Sequence, residues 1–131
     1  KIANKPSSED IENMELLAEK VFEPLREWVD APIIINSMFR SVKLNTALKG
    51  AARSSHMKGQ AFDITSMGGK TNLEMFYYIK DNLPFDQLIW EFGNEPVWLH
   101  VSYVNETENR GQVLVIKRSG VYHEWSPCKT C

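Results

Sequence analysis

Apolar residues at Ile11, Met14, Leu17, Val21, Leu25 and Trp28 recur at helical spacing. They follow Ser7-Ser8-Glu9-Asp10, capping residues with early acids, so a helix is expected, with a kink or break at Pro24. Ile33-Ile34-Ile35, directly after Pro32, reads as a buried strand. A short helix over 44–49 ends at Gly50. Residues 60–65 read as a strand, and 72–83 as a helix packing Met75, Phe76, Ile79 and Leu83. Strands at 86–92 and 97–103 flank Gly93-Asn94-Glu95-Pro96, a hairpin signal, and 112–117 adds another strand. Helices first, then helix and strands mixed around a hairpin, indicate an α+β fold.

Alternation divides the hairpin into two faces. Leu88, Trp90 and Phe92 share one with Val97, Leu99, Val101 and Tyr103; Gln87, Ile89 and Glu91 share the other with Trp98, His100 and Ser102. The apolar sets coincide when Glu91 lies opposite Trp98 and Ile89 opposite His100, and a one-residue slip would bury the wrong set. Glu91 and His100 then become diagonal neighbours about 7–8 Å apart. In the strand at 60–65, Phe62 and Ile64 point one way, and Ala61, Asp63 and Thr65 the other, with His56 just ahead. A carboxylate and two imidazoles on non-core faces suit an open three-ligand zinc site. The competing reading is three side chains satisfied separately, and spacing alone leaves the two level.

The length, 131 residues, bounds the chain to one domain over 1–131, with a short tail from about 124. Hydrophobic residues at 43% suffice for a core without staples. A net charge of −2 offers no basic field, so no nucleic-acid partner is expected. No apolar run approaches the ~20 residues of a membrane span, and residues 1–6 lack the apolar segment of a leader. Cys128 and Cys131 have no second Cys or His pair at zinc-ribbon spacing. They read as part of the tail rather than as a redox pair or half a metal site.

Ser54-Ser55-His56-Met57-Lys58-Gly59-Gln60-Ala61-Phe62-Asp63 matches S-x-H-x-x-G-x-A-x-D at every fixed position. Trp98-Leu99-His100-Val101 is similar to the closing W-x-H-V element of the same family. Met38-Phe39-Arg40-Ser41 with Leu44-Asn45 resembles its upstream Y-R-S…L-N segment, Phe39 standing in place of Tyr. Glu23-Pro24-Leu25-Arg26 and Asn109-Arg110-Gly111-Gln112-Val113 are similar to its phage and gut-bacterial branch. From about residue 6 to 122 the chain thus resembles the D-alanyl-D-alanine carboxypeptidase-like zinc peptidases. This is the fifteenth metallopeptidase family, which shares its fold with the Hedgehog signalling domain.

The resemblance implies helices packed on a small antiparallel sheet, and one zinc per chain held by His56, Asp63 and His100. It gives Gly59 the turn before the strand, and Ala61 an uncluttered ligand face. Ser54, Gln60 and Trp98 become substrate-binding residues, Ser54 alternatively orienting the His56 loop. Arg40 would hold a substrate carboxylate or carbonyl oxygen, which suits a planar guanidinium. Zinc polarises the scissile carbonyl and acidifies water, and a carboxylate must carry that water's proton to the leaving amine. Relatives often place the carboxylate three residues before the last histidine, where this chain has Val97. Of the remaining Glu91 and Glu95, Glu91 lies on the cleft face and is the expected catalytic base, and Glu95 sits in the turn. His123 and Trp90 are expected to pack or face solvent.

The implied function is zinc-dependent hydrolysis of a peptide bond in peptidoglycan stem peptides. The chain would be a phage-type endolysin or a bacterial wall-remodelling carboxypeptidase. It would act as a monomer at the cell wall or periplasm, after export or phage lysis. The alternative is a catalytically silent, zinc-containing binding module of the same fold, acting on cell wall or a protein partner.

Overall fold

The computed structural model describes residues 2–51, 54–117 and 120–127. Ser7 caps α1 (Ser8–Leu17) reciprocally: its hydroxyl accepts from the Asp10 amide while the Asp10 carboxylate accepts from the Ser7 amide. The helix does not break at Pro24. Residues Ala18–Phe22 widen into a π turn that runs into α2 (Glu23–Val29), leaving Pro24 in the first turn of α2. Leu17, Val21, Leu25 and Val29 form the buried stripe, and Trp28 stacks on Tyr78 with ring centroids 4.1 Å apart.

There follow β1 (Ile33–Ser37), α3 (Val42–Ala47), a 3₁₀ turn (Ser55–Lys58), β2 (Ala61–Ser66), α4 (Asn72–Asn82), β3 (Gln87–Glu91), β4 (Trp98–Ser102), β5 (Gln112–Ile116) and β6 (Tyr122–Glu124). The strands form one sheet in the order β1-β2-β4-β3-β5-β6. The α+β class is as expected, but the sheet is mixed rather than antiparallel throughout: β5 runs parallel to β3. The chain returns after β4 to the end where β3 starts. There Asp86 fixes it, accepting from the Arg110 backbone and guanidinium at 2.7–2.9 Å, while its carbonyl accepts from Gln112.

The first strand also departs from expectation. As an edge strand β1 has one neighbour, β2, and Ile34 and Ile35 remain 40% and 42% exposed. The core lies on the other side of the middle strands. There Phe62, Ile64, Leu88, Trp90, Leu99 and Val101 pack with Leu17, Val21 and Leu25 and with Met75, Phe76 and Ile79 of α4. The hairpin register is the expected one, Glu91 opposite Trp98 and Ile89 opposite His100. Phe92 leaves the alternation because its φ is +66°. It therefore packs on Trp98 and on the small cluster of Ile89, Leu114 and Ile116, and Val97 is exposed. Strand β6 was not among the expected elements; beyond it Trp125 meets Phe76 and Tyr77. Cys128 and Cys131 lie outside the described residues. Among the described residues no helix is long and apolar enough to cross a membrane.

Candidate metal centre and cleft

The sheet face turned away from the core lines a cleft of about 600 Å³. Asp63 and His100 reach it from directly paired positions of β2 and β4. His56 comes from the 3₁₀ turn. Ser54 caps that turn, its hydroxyl accepting from the His56 amide at 3.2 Å, and Gly59 closes it with φ +70°. A Cβ at Gly59 would stand 2.5 Å from the Asp10 carbonyl oxygen, so glycine is required by space as well as by conformation.

The His56 Nδ1 lies 2.6 Å from the Met38 carbonyl oxygen. A carbonyl only accepts, so Nδ1 carries the proton and Nε2 is left with its lone pair. Nε2 lies 3.3 Å from Asp63 Oδ1, and His100 Nδ1 lies 3.0 Å from the same oxygen. Donor atoms about 2.0–2.1 Å from a tetrahedral zinc are about 3.3 Å from one another. The three residues offer ligand atoms within 4.8 Å of one another, so donor types and spacing both fit a zinc-sized cation.

Two carboxylates face this cleft and behave oppositely. Burial disfavours the charged form of Asp63, yet the hydrogen bonds and charge of His100 and His56 outweigh it and hold the group well below the usual carboxylate range. Glu91 is pushed up to about 7, by burial first and then by the Asp63 charge. A hydrogen bond with Trp98 and the charges of His56 and Arg40 pull the other way.

Arg40 is held from three directions. It donates from Nε to Ser37 at 3.1 Å, from Nη1 to Asn45 at 3.2 Å and from Nη2 to Asp63 at 3.5 Å. Asn45 is 2% exposed and donates to the Ala51 carbonyl at 2.8 Å. A Cβ at Gly50 would fall 2.1 Å from the Asn45 Oδ1, so that glycine makes room for the arm that holds Arg40.

The cleft thus brings together His56, Asp63, His100, Arg40, Ser54, Glu91 and Trp98. Gln60 does not line it, because alternation puts it on the same side as Phe62 and Ile64. Glu95 is exposed in the turn, and Trp90 is buried in the core. His123 lines a separate cavity beside Trp125. Tyr122 and Asn45 were not predicted as site residues. Asn45 carried a signal in the Leu44-Asn45 pair; Tyr122, on a strand of three residues, carried none.

A family model described as Peptidase M15 matches residues 3–102. A comparison with curated proteins finds no match.

Proposed function

The chain belongs to the peptidase M15 family of metallopeptidases, and from that premise we propose that it hydrolyses a peptide bond in peptidoglycan stem peptides, with one zinc per chain as cofactor. The observation that carries the reading is the convergence of His56, Asp63 and His100 on the face that also presents Glu91. Zinc bound there supplies Lewis-acid polarisation of the scissile carbonyl and acidifies water. Glu91 takes the proton of the attacking water and passes it to the leaving amine. A carboxylate that titrates near 7 suits both halves of that transfer.

Arg40 holds a substrate carboxylate or carbonyl oxygen. Three of its five N–H groups are engaged by Ser37, Asn45 and Asp63, which leaves two for a ligand. Trp98 lines the groove and bonds Glu91, and Ser54 acts by shaping the His56 turn. Every group named comes from one chain, so a monomer suffices. The action is that of a carboxypeptidase or an endopeptidase at the cell wall or periplasm.

The test pairs elemental analysis with mass spectrometry of the products released from purified peptidoglycan. One zinc per chain in protein made without chelators, lost in His100→Ala, together with cleaved stem peptides, supports the reading. Equal zinc in both proteins overturns the ligand assignment. Full zinc with no released product favours the silent binding module, the reading to which Val97 in place of a glutamate points.

A further inference from the structure

Resting on the peptidase reading, we propose that Asn4 is a positioning residue for Arg40, its side-chain amide fixing the loop that carries the guanidinium into the cleft. Arg40 lies between β1 and α3. Backbone groups on this stretch bond alternately to two sides. On the inner side the Met38 carbonyl meets His56 Nδ1 at 2.6 Å, and the Arg40 amide donates to the His56 carbonyl at 2.9 Å. On the outer side the Phe39 carbonyl accepts from Asn4 Nδ2 at 3.1 Å, and the Ser41 amide donates to Asn4 Oδ1 at 2.7 Å. The two residues that flank Arg40 are thus held by the two ends of one amide.

Only one orientation of that amide satisfies both partners, because a carbonyl only accepts and a backbone N–H only donates. Aspartate would keep the acceptor but set a carboxylate oxygen against the Phe39 carbonyl. The residue before Asn4 adds a third bond, the Ser41 hydroxyl donating to the Ala3 carbonyl at 2.8 Å. Among the described residues, hydrogen bonds to the outer side of the Arg40 loop come from Ala3 and Asn4 alone.

Such a brace needs a fixed base, and α1 supplies one. Asn13 Nδ2 donates to the Lys58 carbonyl at 2.8 Å, and the Asp10 carbonyl closes on Gly59, so α1 is pinned to the turn that carries His56. The guanidinium itself is tethered to Ser37 before the loop and to Asn45 after it. Slack at 39–41 therefore moves the charged head relative to Asp63 and to a bound substrate. Asn4 is exposed, so replacing it empties no core space. It acts through Arg40.

The test is a double-mutant cycle read by kinetics on a defined muropeptide, beside hydrogen exchange of the chelated full chain. Asn4→Ala should lower kcat/KM about fivefold, the scale of one net hydrogen bond, at full zinc content. Asn4→Asp, which exchanges only NH₂ for oxygen, should do no better and carries the test should Asn4→Ala not fold. In the Arg40→Lys background Asn4→Ala should cost less than about twofold more, since the residue it acts through is already altered. The loss should divide between kcat and KM as that of Arg40→Lys does. Exchange of the Arg40 amide, which Asn4 does not touch, should quicken about fivefold in Asn4→Ala while amides of β2 and β4 keep their rates. Equal losses in the two backgrounds, or an Arg40 amide that exchanges as in the wild type, overturn the proposal. So does a lowered melting temperature with wild-type kinetics, and so does a loss of zinc, which would put the effect on His56. The peptidase reading fails separately, when the zinc-loaded wild type releases nothing from peptidoglycan; exchange at the Arg40 amide then still decides for or against Asn4.

Discussion

The two faces of the sheet are built from alternate residues of the same strands, and they do opposite things. On one, Phe62, Ile64, Leu88, Leu99 and Val101 are wholly buried among helix side chains. On the other, Asp63, Glu91, Trp98 and His100 stand in an open cleft. Phe62 and Asp63 are chain neighbours, yet one holds the fold together and the other holds charge in place. The two arginine–carboxylate pairs differ in the same way. Asp86 is gripped by Arg110 through the Nε–Nη2 edge of the guanidinium, one donor to each carboxylate oxygen, and through a backbone amide, a closed arrangement that ties down β5. Asp63 meets Arg40 through one long contact at 3.5 Å, and its other oxygen faces both histidines. Stability and chemistry are therefore separable in this molecule, face by face.

The sharpest way to break that separation is to truncate one residue on each face. Phe62→Ala should destabilise the protein by about 3–5 kcal/mol, the usual cost of an emptied aromatic core position. His100→Ala should abolish zinc binding while moving the melting temperature of the chelated protein little. Thermal melts and elemental analysis of both variants measure this. Were His100→Ala to unfold the chelated protein, the cleft face would be part of the stabilising core and the contrast would be lost.

Within the cleft face the largest expected effect is on turnover. Glu91→Gln should keep fold and zinc and lose at least ~10²-fold in kcat, the scale of general-base catalysis. Glu95→Gln, exposed in the turn, should stay within about twofold, as surface changes do. The reverse ranking would mean that the turn folds over the metal and Glu91 is only a wall.

Much of this contrast is legible in the sequence, because alternation is a local property. It assigns Asp63, Glu91 and His100 to one face and Phe62, Leu99 and Val101 to the other, and the hairpin register follows from making the apolar sets coincide. What alternation lacks is the identity of neighbours. It cannot say that β5 lies parallel to β3 or that β1 ends up at an edge, so Ile34 and Ile35 read as buried when they are not. Single backbone events also escape it: the left-handed Phe92 crosses to the cleft side. Gln60 is the opposite case. It fell within the ten-residue motif, but its own strand parity already pointed it away from the metal. The three residues of β6 are too few to show any period, which hid Tyr122.

Arg40 tests whether the looser arginine pair is built for binding. Lysine keeps the charge and loses the planar fork, so Arg40→Lys should lower kcat/KM about tenfold on a defined muropeptide without losing zinc. A contact to a ground-state carboxylate would raise KM; one to a developing oxyanion would lower kcat. Wild-type kinetics with a lowered Tm would instead make Arg40 a structural partner of Ser37 and Asn45, the counterpart of Arg110.

The smallest expected effect separates the two cleft carboxylates, through the pH dependence of stability in chelated protein. Glu91 binds its proton more tightly folded than unfolded, since burial and the Asp63 charge push it up to about 7 from the ordinary glutamate value of 4.5. Below about 4.5 it is protonated in both states and costs nothing. Between there and about 7 the folded protein holds a proton that the unfolded chain has released, so stability falls as pH rises, and it levels off above. Asp63 has the opposite sign: its folded form stays ionised to lower pH than the unfolded chain, so its contribution is complete above the ordinary carboxylate range and is lost only in acid. Subtracting the Tm profile of Glu91→Gln from that of the wild type isolates the Glu91 component from those of the other titrating groups. A negative slope in that difference between pH 5 and 7 is the expected result. A flat difference would mean that solvent reaches Glu91 freely, and its place as a tuned base would fall with it.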